Sequence, residues 1–403
     1  MALDQTNDTL MMKIFEALNS DQGDGMRALL ESVLNVSMKI ERENAIGATH
    51  YERSTDRKGY ANGFKTKMLN SRMGTLNLKI PQVRGLPFYP QSIEKGGRSE
   101  RALKLAVAEM YLKGVSTRRV EAITHVLCGL DFTSMQVSRA AKELDAEFES
   151  FRNRPLGRYK YLFLDAIYLK VRHNGSVIDQ AVLIAYGVNQ FGRRELLGAS
   201  TSLSEAEVHW RVFLESLSMR GLTGIELITS DDHSGLRASL KKVFPSVKWQ
   251  RCQFHMSQNA QSYAPKKSLR EPIAESMREI FNSRNMTESR ERTKEVVLRF
   301  SKSAPEFTKW LEENIDEGLT CFCFPKEHRK KIRTSNGLER VNREIRRRTR
   351  VAVLFPNADS ALRLVTGVLV EIHEEWITGN RWLDMGVSEE KKTYFMEEEA
   401  QAV

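Results

Sequence analysis

The chain has 403 residues, of which 41% are hydrophobic and 28% charged, and its formal net charge is +10. These values are typical of a globular protein with at least one sizeable core, and they exclude a disordered or fibrous class. Because no run of eighteen apolar residues occurs, a membrane-spanning helix is not expected. The four cysteines, Cys128, Cys252, Cys321 and Cys323, are too few and too unevenly spread for a disulfide framework.

The N-terminal segment, residues 1–98, predicts a helical and basic region with a short β segment. It begins MALDQTNDTL, without the basic-then-apolar order of a secretory signal, so we expect a cytoplasmic protein. A helix is expected over residues 8–45, with Leu29, Leu30, Val33 and Leu34 on one face. A basic stretch with interleaved aromatic residues follows at 51–69.

The next segment carries an alternating pattern that indicates a strand. In TLNLKIP, Leu76, Leu78 and Ile80 alternate with polar residues, and Pro81 is expected to end an edge strand. A loop rich in Gly and Pro then continues to about residue 98.

Residues 99–156 predict three short helices. Ser116 is a candidate N-cap for the second helix, and Thr133 or Ser134 for the third. The third helix carries Gln136, Ser138 and Arg139, an arrangement that suits a helix-turn-helix reading a DNA groove. A plain helical bundle would show the same pattern, and both interpretations stay open.

From residue 157 onward, apolar runs predict a mixed α/β core. Three consecutive strands are followed by a helix, a strand, a helix and a strand, ending near residue 259. Ser204 and Glu207 suggest a capping box at the first of these helices. The element order is that of a ribonuclease-H-like fold, in which the first and fourth strands are central neighbours. Asp165 on the first strand would then lie beside Asp231 at the end of the fourth.

The chain after this core is expected to be helical. Residues 260–334 form an all-helical insertion, and residues 335–385 return to the core with a further helix. Leu338, Val341 and Ile345 form the apolar stripe of that helix, and Glu339 heads a second stripe of arginines. An acidic tail, residues 386–403, completes the chain.

Three carboxylates brought together repel one another unless a cation lies between them. Asp165, Asp231 and Glu339 are the candidates, and Mg²⁺, for which Mn²⁺ would substitute, prefers such oxygen ligands. Two such ions can activate a nucleophile and stabilise the leaving oxygen of a phosphodiester. Separately, each residue has a structural interpretation: a buried polar side chain, a helix N-cap, or a charge favouring a helix dipole.

Positive charge is concentrated beside Glu339. Residues 326–350 contain eleven Lys and Arg and three Glu, which favours a nucleic-acid ligand. The arginines expected to hold DNA phosphates are Arg343, Arg346, Arg347 and Arg350. Because no nucleotide-binding G-x-x-x-x-G-K-[ST] loop is present, nucleoside-triphosphate chemistry is not expected.

Further candidate ligands lie close in sequence to these acids. Asp232 competes with Asp231 as the second acid, although the following helix is expected to begin near Ser234 with Asp232 or His233 as its cap. Cys252 and His255 form a C-x₂-H pair, which is not a zinc site without further ligands, and Cys321 and Cys323 are weak candidates to complete one. His255 is instead expected near the carboxylates, where it would contact the scissile phosphate or a carboxylate.

The segments FLDAIYLKVR, ITSDDHSGL, FPSVKWQRCQFHMSQN and IRTSNGLERVNREIRRRTR together resemble the mutator-type transposases of bacterial insertion sequences. The resemblance extends over most of the chain and implies a ribonuclease-H-like domain with an Asp-Asp-Glu triad. It matches Asp165 to the first acid, Asp231 to the acid of a Ser-Asp step, and Glu339 to the acid of an Asn-x-x-Glu step. Cys252 and His255 match the C-x₂-H signature, whereas Asp232 departs from the small residue usual there.

The resemblance also implies an activity and partners. Such a protein would bind double-stranded DNA at terminal inverted repeats and at a target, as a homodimer associated with the nucleoid. It would nick DNA to free a 3′-hydroxyl and join that end to another strand, using Mg²⁺. The alternatives are a DNA-binding protein with an inactive fold and a structure-specific nuclease.

Overall fold

The computed structural model describes residues 12, 24–49, 52–350 and 354–386. The chain divides into two compact units, residues 1–144 and 145–403. The finer division into six segments stays a prediction, and the acidic tail from 387 lies outside the described residues. No helix within the described ranges is both long enough and apolar enough to span a membrane.

The first unit contains a long helix packed on a two-stranded sheet. Helix α1 (Asp24–Ile46) contacts β2 (Gly74–Arg84), which pairs antiparallel with β1 (Tyr60–Ser71). The predicted alternation is confirmed, since Leu76, Leu78 and Ile80 are buried in the core of this layer. The outer edge of β2 is hydrogen-bonded by α1, because Glu31 and Asn35 accept from the amides of Asn77 and Lys79.

Three details of this layer differ from the expectations. The basic segment at 51–69 contributes most of strand β1, whose side chains are mostly exposed on both sides of a two-stranded ribbon. Pro81 does not end β2; it pairs opposite Phe64 beside a register shift in β1, where an amide donor is not needed. Val33 is 43% exposed, so the buried face of α1 is narrower than the apolar pattern suggested.

Residues 99–156 contain four helices rather than the predicted three, because α5 (Asp145–Asn153) follows in the second unit; the three helices in the first unit are α2 (Arg101–Leu112), α3 (Thr117–Cys128) and α4 (Ser134–Lys142). They share one core of buried apolar residues, which includes Leu103, Val107 and Val137. Both predicted caps are confirmed: Ser116 accepts from the amide of Arg119, and Thr133 forms a capping box with Gln136.

The second unit is built on a five-stranded mixed sheet. After α5 (Asp145–Asn153), its strands are β3 (Tyr159–His173), β4 (Ser176–Asn189), β5 (Arg194–Ser202), β6 (Leu227–Ser230) and β7 (Lys248–Arg251). The spatial order is β5-β4-β3-β6-β7, with β3 antiparallel to β4 and parallel to β6. The predicted adjacency of the first and fourth strands is therefore confirmed.

Helices cover the two faces of this sheet. Leu162 and Leu164 on β3 join a core with Trp210 and Leu214 of α6 (Glu207–Met219) and with residues of α7 (Ser234–Val243). Because side chains alternate along a strand, Phe163 and Asp165 share the opposite face. There Phe163 stacks on Tyr186, and Tyr186 contacts Trp376 of α14 (Ala358–Thr378).

The predicted capping box at α6 is wrong. The helix begins at Glu207 with Ala206 as its N-cap and no side-chain cap hydrogen bond. Ser204 instead accepts a hydrogen bond from the amide of Ala206, because it lies two residues before the N-cap and does not reach the first turn. Helix α7 begins at Ser234 as predicted, and of the two candidate caps it is His233, not Asp232, that occupies the N-cap position.

The predicted helical segment follows β7. It consists of α8 (Gln253–Ser262), α9 (Arg270–Phe281), α10 (Met286–Phe300), α11 (Pro305–Leu319) and α12 (Lys326–Ile332). Helix α13 (Asn336–Thr349) then contacts β3 and α14. Its stripe of Leu338, Val341 and Ile345 is buried as expected.

Candidate active site

The two aspartates lie at neighbouring positions of the central strands. Strands β3 and β6 pair in parallel with Phe163 opposite Thr229. Continuing this register by two residues sets Asp231, just beyond the end of β6, beside Asp165. Both side chains line one cleft of about 970 Å³, together with His255 and Glu339. The fold thus brings together all four residues proposed for the chemistry.

Asp165 is a partly buried carboxylate on β3. Burial raises the pKa of its carboxyl to about 6, and the negative charges of Asp231 and Glu205 add to the rise. The amide of Ala166 donates to Oδ1 over 2.9 Å, and Nδ2 of Asn342 donates to Oδ2 over 2.8 Å. Asn342 lies on α13, one turn after Glu339, and was not singled out from the sequence.

Glu339 is positioned by contacts at the start of its helix. Sγ of buried Cys252 accepts from the amide and hydroxyl of Ser335, at 3.4 and 3.3 Å. Three residues before Ser335, the carbonyl of Ile332 accepts a hydrogen bond from the hydroxyl of Thr229 on β6. Helix α13 therefore begins at a point held by the last residues of β6 and the first turn of α8.

Gly337 allows α13 to approach the sheet. A Cβ atom at this position would lie 2.6 Å from Oη of the buried Tyr186 on β4. That separation is too short for any side chain, so only glycine permits this contact. The glycine in the NGLE sequence thus contributes to the depth at which Glu339 enters the cleft.

Buried Cys252 forms a tight cluster with His255 and Glu339 of this cleft. One ligand atom from each lies within 4.8 Å of the others, and Nδ1 of His255 is 3.9 Å from Oδ1 of Asp231. Hydrogen bonding to Cys252 is the largest cause that raises the pKa of His255 to about 9, and the charges of Asp231 and Asp165 raise it further. We therefore expect an imidazolium at neutral pH.

The zinc alternative gains no support from the other cysteines. Within the described residues, the metal-compatible group contains neither Cys321 nor Cys323. Cys321 is buried and accepts a hydrogen bond from Gln253, whereas Cys323 is exposed. The C-x₂-H pair instead links α8 to α13 through Ser335 and Glu339.

Asp232 has a different environment from Asp231. Its two carboxylate oxygens accept from Arg237, at 3.0 Å, and from Arg251, at 2.9 Å. Both arginines also pair with Glu317 on α11, and the Arg251 side chain is only 3% exposed. Asp232 thus joins the end of β6 to the helical segment, and it is Asp231 that faces the cleft.

The arginines of α13 extend the cleft away from the acids. Arg343, Arg346, Arg347 and Arg350 are exposed and line it, as does Arg340. Arg347 is paired with Glu344 at 2.7 Å, whereas no ion pair is found for Arg346 within the described residues. Arg348 points elsewhere: it is buried and pairs with Glu344 and Glu371. The remaining predicted DNA contact, Arg139, is exposed on α4 in the first unit.

The donor set suits a hard divalent cation. Asp165, Asp231 and Glu339 offer carboxylate oxygens to one cleft, and buried Oε1 of Glu339 has no hydrogen-bond partner among the described residues. A buried carboxylate oxygen without a partner is costly unless a cation or donor satisfies it. These three acids would be the residues that hold Mg²⁺.

Comparison with known proteins gives one consistent result. Residues 1–379 match the family described as "Transposase, Mutator family". The chain is 49% identical over 372 residues to the transposase for insertion sequence element IS406 of Burkholderia multivorans, covering 92% of this chain and 96% of that protein. It is 41% identical to the ISRM5 transposase of Rhizobium meliloti, over 92% and 93% of the two chains. The IS256 transposase in Tn4001 of Staphylococcus aureus is 34% identical, over 90% and 93%.

Proposed function

Because the chain belongs to the Mutator family of transposases, we propose that it catalyses DNA cleavage and strand joining at the ends of an insertion sequence. The observation that carries this proposal is the convergence of Asp165, Asp231, Glu339 and His255 on one arginine-lined cleft. On this proposal the second unit is a ribonuclease-H-like catalytic domain, which the strand order and the parallel β3–β6 pair support.

The three acids would provide oxygen ligands for Mg²⁺ beside the scissile phosphate. Mg²⁺, when bound among them, supplies positive charge that stabilises charge developing on the phosphodiester oxygens. Asp165 and Asp231 come from adjacent strands, and Glu339 from a helix held at both Cys252 and Asp165. These hydrogen bonds would help to orient Asp165 and the helix of Glu339 toward the cleft.

The reaction would have two phosphoryl-transfer steps. In the first, water attacks a phosphodiester at the element end, and the bond to the 3′-oxygen breaks to leave a free 3′-hydroxyl. In the second, that hydroxyl attacks a phosphodiester of another strand, forming one P–O bond as another breaks. His255 would contact the scissile phosphate or a carboxylate. The arginines of α13 would hold the phosphate backbone on either side.

DNA binding through the first unit and assembly as a homodimer complete the proposal. The exposed Gln136 and Arg139 on α4 support a groove-reading helix, with inverted repeats as the bound sequence. A dimer would engage two such repeats, as two-fold symmetry requires.

The test is an assay of nicking and joining with purified full-length protein. The DNA carries the sequences that flank the gene at both element ends, and Mg²⁺ or Mn²⁺ is added to start the reaction. The proposal requires both products with wild type and neither with Asp165→Ala or Glu339→Ala, while DNA binding is kept. Wild-type protein that binds the ends and never cuts them would instead support an inactive DNA-binding protein. Nicking without joining would support a nuclease.

A further inference from the structure

A second cleft, of about 430 Å³, adjoins the candidate active site, and Phe254 lines both. We call it the amide cleft, because five of its lining side chains are amides: Gln253, Gln258, Gln261, Asn282 and Asn336. Its walls come from the two segments that carry active-site residues. Phe254 immediately precedes His255 on α8, and Asn336 begins the helix of Glu339.

Phe254 is unusual in being an exposed aromatic ring between two polar clefts. It is 43% exposed, and its ring lies 5.4 Å from that of His255 in an edge-to-face arrangement. Part of the Phe254 side chain is therefore open to a ligand. Every nucleobase has an aromatic face, and base–aromatic stacking contributes about 5- to 150-fold to affinity per base.

The amides around Phe254 have unused hydrogen-bonding capacity. Gln258 and Asn336 are exposed, and neither side chain makes a hydrogen bond within the described part of the chain. Gln253 is 3% exposed, and its Oε1 is buried without a partner, although its Nε2 donates to Gly318. An amide both donates and accepts, and it thus matches the mixed donor and acceptor edge of a base.

The active-site cleft is lined by more arginines than the amide cleft, so it suits phosphate better, whereas the amide cleft suits a base better. The active-site cleft is lined by four arginines of α13 and by Arg350 at its C-cap. In the amide cleft, Arg278 is paired with Glu271 at 2.8 Å, and Arg333 donates to the carbonyl of Phe281 at 2.8 Å. Arg333 keeps its positive charge, so the amide cleft carries one arginine that no carboxylate pairs within the described residues, beside five amide side chains that suit the edge of a base.

From these observations we propose that the amide cleft receives one unpaired base of the DNA, stacked on Phe254 and hydrogen-bonded by Gln258 and Asn336. The inference rests on the proposed function, since it concerns DNA held at the same acids. The base belongs to a nucleotide close to the scissile phosphate, because Phe254 borders both clefts. Withdrawing that base from the duplex would open the strand beside the bond to be cut.

The experiment measures binding of element-end duplexes in EDTA, so that no cleavage occurs. In each duplex one nucleotide near the cut is left unpaired by removing the base opposite it, and the position is moved along both strands. Wild type should bind best where the freed base enters the cleft, because the cost of unpairing is already met. The affinity of Phe254→Ala for that duplex should be about 5- to 150-fold lower than that of wild type, and it should not depend on the position of the unpaired nucleotide. Phe254→Trp should keep the preference.

Leu298→Ala is the matched control, since Leu298 is an exposed apolar side chain, 76% accessible, on α10. It should bind every duplex as wild type does. The base-binding proposal is overturned if Phe254→Ala binds each duplex as tightly as wild type, or if its loss is equal at every position. Failure of the proposed function is a separate result, because it would appear as wild-type protein that does not cut fully paired ends when Mg²⁺ is present.

Discussion

Asn342 donates a hydrogen bond from Nδ2 to Oδ2 of Asp165 over 2.8 Å, so the helix that carries Glu339 is joined directly to the strand that carries the first aspartate. The side chain is 5% exposed, and its Oδ1 is buried without a partner among the described residues. We regard Asn342 as a positioning residue, since the contact orients a proposed ligand and does not reach the substrate.

Asn342→Ala should lower strand joining about 10- to 100-fold and raise the Mg²⁺ concentration needed for half-maximal rate, because Asp165 loses its orienting donor. A metal titration of the joining rate measures both effects. Asn259→Ala, an exposed amide on α8, is the control and should leave the titration unchanged. An Asn342 variant with a lower rate and an unshifted Mg²⁺ dependence would exclude the positioning role.

Asp231→Ala and Asp232→Ala should have opposite consequences. Loss of Asp231, which lines the cleft, should reduce the rate of strand joining by more than about 100-fold, since the loss of a metal ligand has a larger effect than the loss of a residue that supports one. Loss of Asp232 should leave the chemistry and lower the free energy of unfolding by about 1–3 kcal/mol, because buried Arg251 keeps only its contacts on α11. Urea unfolding and joining rates distinguish the two. An inactive, fully stable Asp232→Ala would reverse the assignment.

Arg346→Ala should weaken DNA binding and reduce the slope of log affinity against log salt concentration by about one, because an exposed cleft arginine releases about one counterion. Arg348→Ala is the matched control on the same helix. Since Arg348 is buried and paired with Glu344 and Glu371, its loss should lower stability and leave the salt slope as in wild type. Equal slopes for Arg346→Ala and wild type would argue against a phosphate contact.

Arg139→Ala distinguishes the two interpretations of helices α2 to α4. If α4 reads a groove, the variant should lose about 1–3 kcal/mol of affinity for element-end DNA and much less for unrelated DNA. Competition binding with both DNAs measures the ratio. A plain helical bundle predicts an unchanged ratio, and Arg118→Ala on α3 serves as the control for a general loss of charge.

His373 should make the stability of the protein fall in acid. Burial, followed by the positive charge of Arg154, lowers the pKa of His373 to about 4 from an ordinary 6.5. The unfolded chain therefore takes up a proton at a pH where the folded chain does not. Stability contributed by the neutral ring is complete above pH 6.5 and is lost as pH falls toward 4.

His373→Gln should flatten this part of the stability curve by about 2 kcal/mol between pH 7 and pH 4. Denaturant unfolding across that range measures it. His173→Gln, at an exposed position in the β3–β4 hairpin, is the control and should retain the wild-type pH dependence. Parallel curves for wild type and His373→Gln would contradict the assignment.

Much of the second unit follows from local pattern. The strands of the sheet are covered by helices on both faces, and their near-continuous apolar runs therefore predict buried strands from the sequence. The pairing of β3 with β6 then follows from element order, and with it the proximity of Asp165 and Asp231. The capping box predicted at α6 is wrong although Ser204 and Glu207 have the spacing of that motif. The helix begins at Glu207 with Ala206 as its N-cap, and the residue types do not indicate this start.

Side-chain contacts between segments that are distant in sequence do not follow from local sequence pattern. Nothing in the sequence near Cys252 indicates that its sulfur accepts from Ser335, 83 residues away. Asn342 follows Glu339 by three residues, a spacing that places it on the same helix face, and this was the available signal. Strand β1 was missed because its basic residues face solvent on both sides of a two-stranded ribbon.

The hydrogen bond from Asn342 to Asp165 spans 177 positions of the chain. A gene copy that acquires a stop or frameshift anywhere between β7 and α13 therefore encodes a protein with no complete cleft. The first unit, with its own apolar cores, lies entirely upstream of such lesions. On the proposed function, decaying copies of the element would thus produce fragments that occupy DNA ends without cutting them, and they would restrain the intact copies in the same genome.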